Sequence, residues 1–436
     1  MEQLLEMAKK VADQAEVYSL QETADVVRFE NARLKEIESK VQDGISLRII
    51  KDGKLGFSYT KNLLNREELL RNALDSLKGG VEVFFDFPRT ANLPSLASYD
   101  PSIEDLTNTH IVEECKRVCD ALMPRTRGQI NLGGSRHVST ARVINSHGTD
   151  LSVRSSSYSF GAEILYPGSY AAITRQLSDK AFKKTPEDDL DFISTLYSQS
   201  QKEVHPKGGE TKVLFLPEAL YALIWRLQSA TNGRNVYQKV SPVLEKRGEK
   251  ILDEKLTLYD DPLNDRMPGA RAFDDEGTGC RTLFIINQGV LENFYCDLFY
   301  SGKLKMAPTG HGYKGSMWGG ETVSFRPSPA LEYLYIKPGK KSFADLIRLM
   351  DRGMIVAGAM GAHSGNILNG DFSIGLSPGL YVERGEVVGQ VKDAMAAGNV
   401  FETMKHISEL EDTLHPSYTG TFPAILFENV SVATKT

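Results

Sequence analysis

Residues 45–60 read Ile45-Ser46-Leu47-Arg48-Ile49-Ile50-Lys51-Asp52-Gly53-Lys54-Leu55-Gly56-Phe57-Ser58-Tyr59-Thr60. Two runs rich in β-branched and aromatic residues flank an Asp-Gly pair, which supplies the positive φ values that a two-residue hairpin loop demands. The spacing predicts a hairpin of strands 45–50 and 55–60, and 16–29 and 34–41 read as earlier strands of the same sheet. Ahead of them Leu4, Leu5, Met7, Ala8, Val11, Ala12 and Ala15 recur at helical spacing, which predicts an amphipathic helix over 1–15 that covers the sheet. Downstream, Asn65 offers an N-cap with Glu68 three residues on, ahead of Leu69, Leu70, Ala73, Leu74 and Leu77 at helical spacing.

Further along, a helix is expected over 109–122, with Cys115 and Cys119 on its apolar side as buried structural thiols. A zinc site would want further ligands at short range, and none follows. Strand-like alternation fills 130–165, turning at Asn145-Ser146-His147-Gly148, and a helix is expected over 189–202. The polar stretch His205-Pro206-Lys207-Gly208-Gly209 marks an expected boundary between a domain of residues 1–205 and one of residues 206–436. Beyond it, strand 212–216 leads to Pro217, which suits the first turn of a helix running to Thr231 and ended by Asn232-Gly233.

The second half shows hairpins 282–287 with 290–298 and 379–382 with 386–391. Helices are expected from Ser342, with Asp345 completing a capping box, to Gly353, and over 399–410; a last strand covers 424–427. Antiparallel strands with separate helices predict an α+β fold rather than a doubly wound one. Its N-terminal domain is a mixed or antiparallel sheet covered by helices, and its C-terminal domain a strand-rich antiparallel sheet or barrel with a few helices.

The length of 436 residues suits two large domains at roughly 100–200 residues each. A net charge of −6 and a pI near 5.9 argue against a nucleic-acid partner, and the basic spots Lys246, Arg247, Lys250 and Lys337, Lys340, Lys341 interleave no aromatics. Four cysteines point to a reducing compartment without a disulfide framework. The longest apolar stretch, 213–225, is broken by Pro217 and Glu218, and the charged N-terminal helix does not read as a secretion signal. No membrane partner and a cytoplasmic location are therefore expected.

A search for chemistry finds no catalytic set. None of the eight histidines forms an HExxH helix, and no Gly-x-Ser-x-Gly elbow or Walker lysine occurs. His311 and His363 sit in Gly-rich loops and could converge as ligands, although a lone loop histidine is ordinarily a polar turn residue. The acidic stretches Asp260-Asp261 and Asp274-Asp275-Glu276 could hold a hard cation, but Asp before Gly or Pro is also common turn chemistry.

Several ordered segments carry a resemblance: Phe273-Asp274-Asp275-Glu276-Gly277, Gly289-Val290-Leu291 leading to Tyr300-Ser301, Gly370-Asp371-Phe372-Ser373-x-Gly375, Glu383-x-Gly385-Glu386, and Ala397-Gly398-Asn399 opening a helix. With the strand Gly44 to Arg48, Asp52-Gly53 and Gly56-Phe57, they make the chain similar to the TldD/PmbA family, formerly labelled modulators of DNA gyrase, over nearly its whole length. In that family the TldD-like branch carries an HExxxH helix and a later Cys as metal ligands, and acts as a peptidase together with a PmbA/TldE-like sibling that lacks them. The matching helix here has Trp225, Arg226, Ser229 and Ala230 where ligands would be required, and no Cys follows Cys296.

The resemblance thus implies a PmbA/TldE-like subunit of a metallopeptidase that processes peptides. Its partner would be a TldD-like sibling or a second copy of the chain, and its substrate an extended peptide, with metal expected only in the HExxxH-bearing partner. Candidate peptide-lining residues are Asp274, Asp275, Glu276, Asp371 and Ser373. Two alternatives stay open: a self-sufficient peptidase using His311, His363 and the acidic loops, and a nonenzymatic regulator binding gyrase or another protein.

Overall fold

Asp52 and Gly53 take φ values of 50° and 70°, and Lys51 faces Lys54 across them, as a two-residue loop requires. This computed structural model describes residues 1–62, 64–316 and 319–435. The hairpin belongs to a seven-stranded antiparallel sheet of β1 (Gln14–Glu30), β2 (Arg33–Lys51), β3 (Lys54–Thr60), β4 (Val81–Glu82), β5 (Gln129–Asn145), β6 (Asp150–Leu165) and β7 (Ala172–Asp179). Its order is β4-β3-β2-β1-β5-β6-β7. Residues 34–41 and 45–50, expected as two strands, form one, because β1 pairs with β2 along its whole length. Helix α1 (Glu2–Lys9) stops well short of Ala15, which instead opens β1 opposite Ile49 and is fully buried there.

The period of two along β1 sorts the packing. Its odd residues Val17, Val27 and Phe29 face helices, with α1 and α2 (Arg66–Ser76) covering Leu47 and Ile49 at one end. At the other end α3 (Asn108–Leu122) and α4 (Glu187–Gln199) cover Ile130, Phe160 and Ile164. Its even residues Tyr18 and Leu20 face Ala272, Phe273 and Val323 from the second half of the chain.

That half opens with β8 (Gly209–Phe215), α5 (Pro217–Thr231) and α6 (Gly233–Tyr237). There follow β9 (Leu258–Asp260), β10 (Leu283–Asn287), β11 (Val290–Leu291), α7 (Leu298–Leu304), β12 (Gly312–Tyr313), β13 (Ser328–Pro329) and β14 (Leu334–Ile336). Next come α8 (Phe343–Met350), β15 (Gly353–Val356), β16 (Ala359–Met360), β17 (Asp371–Leu376), β18 (Gly379–Glu383), β19 (Glu386–Val391) and β20 (Met395–Asn399). The chain closes with α9 (Val400–Thr403), β21 (Ile407–Leu410), β22 (His415–Ser417), β23 (Gly420–Phe422) and β24 (Ile425–Ala433). A nine-stranded sheet runs β16-β17-β20-β24-β8-β15-β18-β19, with β21 on β24, and a six-stranded sheet runs β11-β10-β9-β14-β23-β22. Pairing is antiparallel except for β8 with β15 and β14 with β23.

Two expected elements differ. The helix over 399–410 shrinks to the single turn of α9, because Ile407 and Leu410 are buried more fully by pairing with β24. The strand over 290–298 ends at Leu291, since Asp297 caps α7 by accepting the Tyr300 N–H at 2.7 Å.

Helices α3 and α4 lie between the two large sheets. Their Ile111, Val118, Leu190 and Ile193 share one core with Leu214, Leu216, Ile355, Leu380 and Leu426, so buried side chains span the chain position 205/206. Among the described residues no helix is long and apolar enough to cross a membrane.

Candidate functional site

Helix α5 shows two faces. Ala219, Leu220, Leu223, Ile224, Leu227 and Ala230 are buried in the C-terminal core. Tyr221, Trp225, Gln228, Ser229 and Asn232 form a half-buried stripe at helical spacing. That stripe borders two of three adjoining pockets, which share lining residues and are taken together as one groove. A mouth of about 760 Å³ includes Tyr221 and Glu218, a main chamber of about 820 Å³ includes Trp225, Gln228, Ser229 and Asn232, and an inner lobe of about 300 Å³ reaches the N-terminal sheet at Tyr18 and Glu22. Tyr418 borders both mouth and main chamber; Tyr313, Lys314, Glu332 and Tyr333 border both main chamber and inner lobe.

The junction of main chamber and inner lobe concentrates the charge. The Lys314 ammonium is buried, donating to Ser46 Oγ at 3.0 Å and the Phe325 carbonyl at 2.8 Å; burial, then the nearby Arg48 guanidinium, push it down to about 7. Glu332 opens onto the chamber but is walled by protein. That enclosure, then the carboxylates of Asp260 and Asp275, push its carboxyl up to about 7 against the pull of Arg271. Asp260 fixes the segment: its Oδ1 accepts the Tyr333 N–H at 2.8 Å and its Oδ2 lies 3.2 Å from His311 Nε2.

The acidic turn 274–276 stands behind this junction. Asp274 accepts the N–H groups of Glu276, Thr278 and Gly312, and Asp275 accepts Arg271 at 2.9 Å and the Lys314 N–H at 2.8 Å. Glu276 accepts Arg48 at 2.6 Å and the Leu298 N–H at 2.6 Å, while Arg48 also holds Glu16 by two bonds of 2.8 Å. A Cβ on Gly312 would stand 2.1 Å from Glu276 Oε2, so only glycine permits this approach. Burial, then the Glu276 carboxylate, raise both Asp274 and Asp297 well above the usual carboxylate range.

Of the candidate peptide-lining residues named from sequence, Asp275 alone borders the groove, and it too is buried. Asp274 and Glu276 are buried behind it, and Asp371 and Ser373 lie on β17, outside the three chambers. His311 is fully buried and His363 lies on an exposed loop, so the structure does not bring them into one site. Trp225 and Ser229 face the groove, whereas Ala230 is core. The fully buried Arg226 donates to the carbonyls of Asp371 at 2.6 Å, Ser364 at 2.7 Å, Ala362 at 3.0 Å and Ala222. Among the described residues no three His, Cys, Asp or Glu side chains are grouped to hold a metal ion. Sequence reasoning missed Lys314 and Glu332; the only signal was a charge beside tyrosine in each of Tyr313-Lys314 and Glu332-Tyr333.

The PmbA/TldA metallopeptidase C-terminal domain matches residues 208–434, and domain 1 of the same metallopeptidases matches residues 15–77. The chain belongs to the TldD/PmbA family. An uncharacterized protein of Methanocaldococcus jannaschii is 26% identical over 421 residues, 94% of this chain and 95% of that one. A metalloprotease of Methanothermobacter thermautotrophicus is 22% identical over 403 residues, 87% of this chain and 84% of the other. The crystal structure of TldE from Thermococcus kodakarensis shares the fold, with a TM-score of 0.91 at 24% identity over 99% of each chain. In this TldD/PmbA chain both matched domains wall the groove: α5 and Glu332 come from the C-terminal one, Tyr18 and Glu22 from the first.

Proposed function

We propose that the chain is the PmbA/TldE-like subunit of a TldD/PmbA-type metallopeptidase, pairing with an HExxxH-bearing sibling and holding an extended peptide in the groove along α5. The observation that carries this reading is the groove face of α5. Tyr221, Trp225, Gln228, Ser229 and Asn232 offer neither imidazole nor carboxylate, Glu218 at the mouth is paired with Arg175 at 2.7 Å, and Arg226 is spent on backbone carbonyls. A divalent ion at the groove face of that helix would meet an indole, hydroxyls and side-chain amides rather than the thiolate, imidazole and carboxylate donors that zinc takes.

The groove suits a peptide in extended form. The chamber wall includes Pro416 and Ser417 of β22, which is an edge strand of its sheet, and strand addition to such an edge is a common mode of peptide capture. In this reading Asp275 is the member of the acidic turn that meets the peptide, while Asp274 and Glu276 hold the wall behind it.

Co-expression with an HExxxH-bearing sibling, followed by co-purification, metal analysis and a peptidase assay of each chain alone and of the pair, tests the proposal. The expected result is metal only with the sibling and full activity only in the pair. Stoichiometric metal and cleavage by this chain alone, lost on replacing His311 or His363, would establish the self-sufficient enzyme instead. Recovery of gyrase without a sibling from the native cell would establish the regulator.

A further inference from the structure

Among the described residues, the charged side chains around the main chamber and inner lobe have a partner or a close neighbour of opposite type, Glu332 excepted. Asp260 accepts the Tyr333 N–H and has its other oxygen 3.2 Å from His311 Nε2, Asp275 is engaged by Arg271 and the Lys314 N–H, Lys314 by Ser46 and Phe325, and Glu22 lies 3.4 Å from His137 Nε2. Glu332 is exposed to the chamber and, among the described residues, accepts no hydrogen bond and joins no ion pair. Aromatic rings surround the same space: Tyr295, Tyr313, Tyr333, Tyr335, Tyr418 and Trp225. A lone carboxylate among ring faces complements a cation, since both the negative charge and the ring quadrupoles attract it. A metal ion would need further ligands that the chamber does not group.

We propose that Glu332 makes the main chamber selective for a protonated amine, which the bound peptide presents as a free amino terminus or a lysine side chain. The inference rests on the peptide-holding reading of the groove and names what that groove prefers. The groups facing Glu332 from neighbouring elements are Asp260 of β9, Asp275 of the acidic turn, Arg271, already held by Asp275, and Lys314, which borders the same two chambers and is itself pushed down to about 7. The surrounding protein first, then the two carboxylates, raise the Glu332 carboxyl to about 7, so its protonated fraction grows below that pH. Pairing with an ammonium favours the ionised form, so binding below that pH releases a proton. Affinity for a peptide carrying a lysine ammonium then rises between pH 6 and pH 8, that for a free amino terminus rises only until the amine itself loses its proton at about pH 8, and that for a neutral peptide stays flat.

The test is calorimetric titration of the full chain with four versions of one short peptide: amino terminus free or acetylated, and one internal lysine or norleucine. Loss of the last ammonium is expected to weaken binding by about tenfold, and Glu332→Gln to bind all four alike. Comparing the single-amine versions tells terminus from side chain. Equal affinity of wild type for all four, or a preference that persists in Glu332→Gln, overturns the inference while leaving the peptide groove standing. If no version binds, the groove reading itself fails and this inference with it. Because the peptide series reads wild-type protein, the amine preference itself is tested independently of how the variant folds, and Glu332→Gln then tests its assignment to this carboxylate.

Discussion

Arg226 and Gln228 sit two positions apart on α5 and answer to different demands. Arg226 is fully buried and donates to four carbonyls, so Arg226→Ala leaves those acceptors unpaired inside a cavity. The expected loss is about 3 kcal/mol or more of unfolding free energy, measured by urea denaturation. Gln228→Ala, on the groove face, is expected to stay within about 0.5 kcal/mol of wild type; comparable losses for both would refute the division of the helix. Lys314 offers a second contrast, in pH. Below about 7 its ammonium is charged in folded and unfolded chains alike, so the cost of burying it is fully present. Between about 7 and its ordinary value of 10.5 only the unfolded chain holds the proton, so folding stability rises with pH across that window. The stability difference between wild type and Lys314→Met is therefore expected to shift in favour of wild type from pH 7 to pH 9, by up to roughly 1.4 kcal/mol per pH unit. A difference that does not move with pH would refute it.

Among elements, the acidic turn joins the two halves through Arg48, whose partners Glu16 and Glu276 come from β1 and from the turn. Arg48→Met strands two buried carboxylates and is expected to cost about 3–5 kcal/mol, with part of that recovered by adding Glu16→Gln. Additive losses in the double variant would show that the pair is not coupled. The turn was visible in sequence as Asp274-Asp275-Glu276-Gly277, but its burial was not, because the donors that satisfy it come from residues far along the chain. The elements that were legible carry local signals: Asp52-Gly53 for the hairpin, Asn65 and Ser342 with Asp345 for helix starts, Pro217 for α5. Those that were misread depend on distant partners. Residues 407–410 carry helical spacing yet pair with β24, and β7 was overlooked because its burial comes from β6 and α4. The chambers share that illegibility, since Glu332 and Lys314 lie on separate loops that only the closed fold brings to one space.

At the scale of the molecule, the core shared by α3, α4, β8, β15, β18 and β24 ties both halves into one packed unit. A single cooperative transition is expected, with intrinsic fluorescence and calorimetry giving the same midpoint; two separated midpoints would contradict it. Residues 1–205 expressed alone would leave Leu190 and Ile193 uncovered by the second sheet, and such a fragment is expected to bind a hydrophobic dye or aggregate. The two-faced α5 has a consequence for descent. One stripe of that helix answers to the core and resists change, while on the other Trp225 and Gln228 make no side-chain hydrogen bond among the described residues and face the groove. Substitutions at those two positions can therefore alter what the groove accepts without loosening the scaffold, so within one fold the lining is free to drift faster than the frame that carries it.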